Sequence, residues 1–184
     1  AAGKVNGAAL ATMMAYAFDC RALVFSGVAG GLNPAKNVGD IIVADKMVQH
    51  DYGAMIDGSI KVYHPGDHCI GDRTMDVPIE MRPDVLAKLK AELKDVSFGT
   101  ILTGDQFLNC ETTRIRLFEE FQADAVEMEG GAVAQIAVRF KIPWVVIRCL
   151  SDLAGDESHV DFHAVLKEAS DKAARVTLDV LKVL

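Results

Sequence analysis

Short, continuous apolar segments that end at glycine or a polar residue constrain the fold of this chain more than any other feature. Residues 22–25 are apolar and are followed by Ser26 and Gly27, and a second segment begins with residues 144–147. A bounded apolar segment of this length is typical of a strand that is buried on both faces. We predict strands over residues 22–26, 40–44, 98–102, 125–129 and 144–150.

Helical patterns lie between these segments. In residues 83–89, for example, apolar side chains recur at spacings of three and four, which is typical of an amphipathic helix. We predict helices over residues 7–18, 83–89, 112–121 and 130–139, and from about residue 162 to the C-terminus. Strands that alternate with helices indicate an α/β fold. We expect a three-layer arrangement in which a twisted, mostly parallel or mixed central sheet is flanked by helices, with residues 1–184 in one domain.

Residues 51–78 interrupt this alternation. Glycine and proline are spread through the segment, so we predict a long loop there. A connection of this length inside a compact domain usually has a function, such as a lid or a subunit interface.

Composition excludes several classes of partner. The chain has 26 acidic and 19 basic residues, a net charge of −7, and without a basic cluster it is a poor candidate for binding nucleic acid or an anionic membrane. Its apolar segments are far shorter than the ~20 residues that cross a bilayer. The four cysteines are widely spaced, which favours reduced thiols in the cytoplasm over a disulfide framework.

Polar and glycine residues cluster where the predicted strands end. Ligands of open α/β sheets bind beyond the carboxyl ends of the strands, so we expect Glu129 and Asp152 to point into one region, near Phe107. Each residue also has a simpler interpretation: Glu129 as the cap of the helix that follows it, Asp152 as a turn or cap residue, and Phe107 as part of the core.

Five segments at these positions occur in a fixed order: residues 27–32 (GVAGGL), 39–43 (GDIIV), 103–109 (TGDQFLN), 126–129 (VEME) and 151–154 (SDLA). Together they resemble the purine nucleoside phosphorylase and nucleosidase superfamily, and most of all the 5′-methylthioadenosine/S-adenosylhomocysteine nucleosidases. The resemblance extends over nearly the whole chain. It implies a nucleoside phosphorylase-like fold and cleavage of the bond between adenine and ribose by water, without a cofactor or a metal.

The resemblance also implies roles for catalytic residues. Asp152 matches the general acid that protonates adenine at N7, and Ser151 is expected to orient it. Arg148 matches a residue near the attacking water, although a simple ion pair at the end of a strand would also explain it.

Further residues match the family's substrate-binding positions. Glu129 corresponds to the carboxylate that binds the ribose hydroxyls, Met128 to a residue that packs on the sugar, and Phe107 to the ring that stacks on adenine. The backbone of Leu108 is expected to hydrogen-bond with the edge of the base, and Phe162 to form a second aromatic wall. Glu127, Val28, Ala29 and Gly30 complete the predicted substrate-binding set.

The nucleophile separates hydrolases from phosphorylases in this superfamily. Phosphorylases need cationic groups to hold the phosphate anion, and related ones tend to carry an arginine at the position of Phe25. The phenylalanine favours water as the nucleophile, with a phosphate-dependent phosphorylase as the alternative. Val28 replaces a hydroxyl residue of many relatives, which puts a minor polar contact to the sugar in doubt.

The start of the chain departs from the family pattern. Family members have further strands before the segment that resembles residues 2–6, and those strands carry the glutamate that activates water. We therefore expect a chain that lacks the family's N-terminal strands, with no residue assigned to water activation, and an inactive nucleoside-binding fragment is a second alternative. The resemblance further implies a homodimer, with residues 51–78 as a candidate interface. A metal site at His64, His68 and Cys69 is a minor alternative.

Overall fold

The structure, a computed structural model, describes residues 2–64, 79–155 and 158–184, and only the backbone of residues 158–164. The helices are α1 (Lys4–Ala17), α2 (Pro83–Glu92), α3 (Glu111–Phe121), α4 (Gly130–Arg139) and α5 (Ser158–Val183). The strands are β1 (Leu23–Gly31), β2 (Ile41–Gln49), β3 (Gly53–Ile56), β4 (Ser59–Val62), β5 (Ile79–Glu80), β6 (Ser97–Thr103), β7 (Ala125–Glu127) and β8 (Trp144–Asp152). The predicted α/β class, with a mixed sheet flanked by helices, is confirmed.

Three strands differ from their predicted lengths in a way that matters for the site. β1 continues past Gly27 to Gly31, and β8 continues to Asp152. β7 ends at Glu127, so Met128 and Glu129 lie in the turn between β7 and α4.

The central sheet is mixed and closes on itself. Its order is β5-β2-β6-β7-β1-β8, and β2 also pairs with β8, so that five of the strands form a ring. β1 is parallel to β8 but antiparallel to β7. The polar ends of β1, β7 and β8 do meet, but a common strand direction is not the reason. They meet because β7 is short: Val126 and Ala125 pair with Gly30 and Gly31 at the end of β1.

The prediction of a loop throughout residues 51–78 was wrong for its first part. Residues 53–62 form the antiparallel hairpin β3–β4. The hairpin turns at Asp57 and Gly58, which have φ angles of 49° and 79°. A two-residue turn with positive φ at both positions is the type that fits the twist of paired strands, and it favours Asp-Gly. Residues 65–78, the rest of the predicted interface loop, lie outside the described residues.

The hydrophobic core lies between the ring of strands and the helices. β8 is buried along its whole length. The first five residues of α4 are also buried, and Ala134 and Ala137 are completely buried. Each fully buried Val, Leu or Ile contributes about 1.5–3 kcal/mol to stability, so β8 is held firmly in place together with its polar end. None of the helices within the described ranges is long and apolar enough to span a membrane.

Candidate active site

A cavity of about 260 Å³ opens where the ends of β1 and β8 meet the segment after β6 and the turn between β7 and α4. The predicted site residues that line it are Val28, Ala29, Gly30, Phe107, Leu108, Glu127, Met128, Glu129, Ser151 and Asp152. Arg148 is not on the lining. Phe162 falls in the part of α5 whose side chains lie outside the described residues. The structure thus brings Glu129 and Asp152 to one cavity.

Asp152 is buried and makes only neutral hydrogen bonds in the described structure. Its Oδ2 accepts a hydrogen bond from the Ser151 hydroxyl at 2.9 Å, and its Oδ1 accepts one from the backbone N–H of Ala154 at 2.8 Å. The second bond makes Asp152 a turn-forming residue as well as a cavity residue, because an Asp side chain that bonds two residues ahead stabilises a turn. Ser151 is completely buried and also donates to the carbonyl of Ala29 at 3.3 Å, which ties β8 to β1 beside the cavity.

Glu127 has a cationic partner. Its Oε2 lies 2.6 Å from Nη2 of Arg148, and both side chains are 2% exposed. The Arg148 guanidinium also lies over the ring of Phe25, 4.4 Å from the ring centroid, within the range of a cation–π interaction. The ion pair considered as an alternative for Arg148 is therefore present, and a role near the attacking water stays a prediction.

Glu129 occupies the N-cap position of α4, but its side chain does not cap the helix. Its Oε1 instead accepts a hydrogen bond from the N–H of Gly3 at 2.7 Å. The first amides of α4 bond elsewhere: the N–H groups of Glu129 and Gly130 donate to Oε2 of Glu127 at 3.0 and 2.6 Å. The interpretation of the Glu129 carboxylate as a helix cap was wrong, and this carboxylate faces the cavity.

The segment that carries Phe107 and Leu108 is attached to the start of α1. Asp105 accepts a hydrogen bond from the N–H of Lys4 at 2.7 Å, and its own N–H donates to Asp51 at 2.8 Å. Lys4 completes the cluster with an ion pair to Asp51 at 2.6 Å. These contacts fix the segment on both sides, while the ring of Phe107 stays about half exposed at the cavity.

Two groups beside this segment have shifted pKa values. Burial alone would raise the pKa of Asp51, but the hydrogen bonds from Lys4 and from the N–H of Asp105, together with the charge of Lys4, hold it below its ordinary value. Burial lowers the pKa of His50, which favours the neutral imidazole. The hydrogen bonds and charge around Asp51 thus favour its ionised form, and burial favours the neutral form of His50.

Sequence reasoning missed some residues of the cavity. Ala2, Gln106, Val126 and Ala154 also line it. Gln106 precedes Phe107 in a segment that the resemblance already used, so the same motif could have predicted it as a cavity residue. Ala154 likewise belongs to a segment that the resemblance used, residues 151–154, although the turn that brings it to the cavity depends on the Asp152 side chain.

The described residues contain no group of three His, Cys, Asp or Glu side chains arranged to hold a metal ion. Two members of the metal alternative, His68 and Cys69, lie outside the described residues.

Comparison with known proteins gives the class. The family model of the phosphorylase superfamily matches residues 2–182, and the chain belongs to this superfamily.

Individual relatives are more specific. The 5′-methylthioadenosine/S-adenosylhomocysteine nucleosidase of Mycobacterium tuberculosis is 46% identical over 200 aligned positions, which cover 99% of this chain and 78% of the relative. Among solved structures, the futalosine hydrolase of Helicobacter pylori superposes with a TM-score of 0.86 at 30% identity and covers all of this chain, which spans 77% of that protein. An aspartate-to-asparagine variant of the H. pylori methylthioadenosine nucleosidase, solved with 5′-methylthioadenosine in its active site, gives a TM-score of 0.85 at 28% identity, over 100% of this chain and 78% of that one.

Proposed function

We propose that this protein hydrolyses the N-glycosidic bond of 5′-methylthioadenosine, S-adenosylhomocysteine or a close relative and releases adenine. The observation that carries the proposal is the pair of carboxylates, Asp152 and Glu129, on one cavity. The 46% identity to a nucleosidase of that specificity supports it. The futalosine hydrolase neighbour leaves a different 5′ substituent as a competing substrate class.

Asp152 acts as the general acid in this proposal. Adenine leaves readily only when a proton reaches N7, and proton donation by a positioned side chain contributes about 10²–10⁴-fold to a rate. The Ser151 hydroxyl and the Ala154 N–H hold the two carboxyl oxygens and so orient the group. The H. pylori relative whose aspartate is replaced by asparagine holds 5′-methylthioadenosine, as expected for a site in which an aspartate serves the chemistry more than the binding.

Glu129 binds the ribose hydroxyls, and its negative charge stabilises the positive charge that develops on the sugar as the bond to adenine breaks.

Met128 packs on the sugar, Phe107 stacks on the base and the backbone of Leu108 hydrogen-bonds with its edge. Val28, Ala29, Gly30 and Glu127 form the remaining wall. The second aromatic wall expected of Phe162 stays a prediction, since its side chain lies outside the described residues. The bond between the anomeric carbon and adenine breaks as Asp152 gives its proton to N7, and a water molecule adds to the anomeric carbon. The water loses a proton to the solvent, from which Asp152 is protonated again, and the products are adenine and the free sugar.

Water is favoured over phosphate because the described lining of the cavity contains no lysine or arginine. A phosphate ion needs cationic or multiple hydrogen-bond donors to leave bulk water. Arg148 is close, but Glu127 neutralises it and Phe25 covers it.

Adenine release with and without phosphate tests the proposal. We expect equal rates and a free sugar as the second product in both buffers. A strict requirement for phosphate, with a sugar 1-phosphate as product, would establish the phosphorylase alternative. Binding of adenine without turnover would establish the alternative of an inactive nucleoside-binding fragment.

We further propose a cytoplasmic homodimer. The resemblance is the main support for the dimer, and the exposed large apolar side chains on α1, among them Val5 at 78% and Met13 at 67%, are consistent with it. Molar mass from light scattering tests the dimer, and a monomer at micromolar concentration would contradict it.

A further inference from the structure

The first turn of α4 is capped by side chains that lie outside the helix. A helix begins with N–H groups that have no partner within it, and the N-cap residue usually accepts one of them. In this protein, Glu127 accepts the N–H groups of Glu129 and Gly130, and the Thr103 hydroxyl accepts the N–H of Gly131 at 2.7 Å. The N-cap side chain itself, that of Glu129, makes no cap; it accepts the N–H of Gly3 and lines the cavity.

We infer that Thr103 is a positioning residue whose hydroxyl, together with Glu127, caps α4 and thereby keeps the Glu129 carboxylate directed at the ribose. The inference rests on the proposed function for the role of Glu129. Thr103 itself does not line the cavity in the described structure, so it acts through Glu127 and the helix.

The Thr103 hydroxyl donates one hydrogen bond and accepts another through a single oxygen atom. Its Oγ1 donates to Oε1 of Glu127 and accepts from the N–H of Gly131, and neither a carboxylate nor an ammonium group does both. Thr103 is completely buried, so water is not at hand to replace either bond. Losing the hydroxyl leaves a buried carboxylate oxygen and a buried amide unpaired, which is costly.

The backbone of α4 is shaped for this contact. A Cβ atom on Gly131 would lie 2.8 Å from Oγ1 of Thr103, closer than such atoms approach, and 3.0 Å from Cγ of Gln49, which is tighter than an ordinary contact. Glycine at this position therefore allows the helix to come within hydrogen-bond distance of the Thr103 hydroxyl.

The consequence for Glu129 follows from its place in the chain. At the N-cap position, its carboxylate is well placed to accept an amide of the first helical turn if another cap is lost. Removing the Thr103 hydroxyl is therefore expected to draw the Glu129 carboxylate toward α4 and away from the ribose, while the adenine side of the cavity, at Phe107 and Leu108, is unchanged.

Calorimetric binding tests this expectation without requiring turnover. The probes are adenine and a carbon-linked adenosine analogue that cannot be hydrolysed. Thr103→Val should weaken analogue binding about tenfold, the size of one hydrogen bond to a charged group, with adenine affinity within about twofold of the original. Thr103→Ser should restore analogue binding, and Thr100→Val, the same replacement on β6 outside the network, should leave both affinities unchanged. Equal losses for both probes, or no loss for either, would overturn the inference.

A second variant and a thermodynamic cycle protect the test against a folding defect. Gly131→Ala pushes on the same contact from the side of α4 and should give the same selective loss of analogue binding if Thr103→Val does not fold. In a Glu129→Gln background, Thr103→Val should cause no further loss, and an additive loss would show that Thr103 does not act through Glu129. A protein that binds the analogue and shows these effects without hydrolysing nucleosides would refute the proposed function alone, and a protein that does not bind the analogue would overturn both.

Discussion

Glu127 and Asp152 line the same cavity and are both buried, yet their surroundings differ in charge. Glu127 bonds to a guanidinium, a hydroxyl and two amides, whereas Asp152 bonds to one hydroxyl and one amide. Moving Glu127 would leave the buried charge of Arg148 unpaired, which is costly. Asp152 can exchange a neutral hydrogen bond for one to a substrate nitrogen without stranding any charge. The comparison separates an acidic residue that holds the site together from one that is available for chemistry.

The largest expected effect is the loss of turnover on replacing Asp152. Asp152→Asn should lower turnover about a thousandfold, because the amide cannot deliver a proton to the purine. The amide oxygen can still accept the N–H of Ala154, and the amide NH2 can donate to the Ser151 hydroxyl oxygen, so stability should change by less than about 1 kcal/mol. Adenine release and urea unfolding measure the two quantities. Turnover within tenfold of the original would remove Asp152 from its proposed role.

For the ion pair of Glu127 and Arg148 we expect the opposite pattern, in which the main effect is a loss of stability. Arg148→Met leaves a buried carboxylate without its cation and should destabilise the fold by about 3–5 kcal/mol. The double variant Arg148→Met with Glu127→Gln should recover part of the loss, because neither position of the pair then carries a charge. Urea unfolding of the two variants measures the difference. A loss below about 1 kcal/mol for Arg148→Met would mean that the ion pair does not hold this side of the site.

A smaller effect is expected from replacing Glu129, which lines the same cavity as Glu127 and Asp152. Glu129→Gln should raise KM for the nucleoside about tenfold through the ribose hydroxyls, with stability almost unchanged because the side chain does not cap α4. Steady-state kinetics and thermal unfolding provide the measurements. Unchanged kinetics together with a clear loss of stability would instead support a structural role for this carboxylate.

The smallest effect concerns Asp51, a carboxylate with a cationic partner that is only partly buried. Its pKa is lower in the folded protein than in the unfolded chain. On acidification the unfolded chain therefore takes up a proton at Asp51 at a higher pH than the folded protein does. The stabilisation that Asp51 provides is therefore fully present above that value, about pH 4, and is lost as the pH falls through the lower pKa of the folded state.

Because the pair is still partly open to solvent, we expect this contribution to be about 1 kcal/mol or less. Asp51→Asn measured against the original protein by urea unfolding should show a deficit at pH 6 that shrinks toward pH 3. A deficit that grows on acidification would reverse the assigned sign.

Local pattern was sufficient for much of the fold. Residues 130–139 were predicted as a helix and form α4, because small apolar residues follow a double glycine there. The hairpin β3–β4 was missed although Asp57-Gly58 between alternating residues is a strong hairpin signal, since the glycines and prolines nearby favoured a loop. The ends of β1 and β8 were placed too early because glycine and polar residues usually end a strand, whereas pairing along both strands extends them here.

Prediction of the site residues also succeeded where a local motif was sufficient and failed where distant contacts decide the geometry. Residues in contiguous motifs, such as Ser151 and Asp152, were found because the motif itself carries the resemblance. Thr103 was not identified as a site residue, because its partners Glu127 and Gly131 lie 24 and 28 positions away and their contact depends on the pairing of β6 with β7. Closure of the sheet through β2 and β8 was missed for the same reason, since no local pattern records which distant strands pair.

The most direct test of the central claim, that Asp152 supplies a proton to the leaving purine, compares two leaving groups in the Asp152→Asn variant. One substrate is 5′-methylthioadenosine, and the other is the p-nitrophenyl glycoside of 5-methylthioribose, whose nitrophenolate leaves without protonation. We expect the variant to lose about a thousandfold in rate on the nucleoside and less than about tenfold on the nitrophenyl substrate. Equal losses on both substrates would contradict the account, because they would show that Asp152 contributes to binding or folding and not to proton transfer.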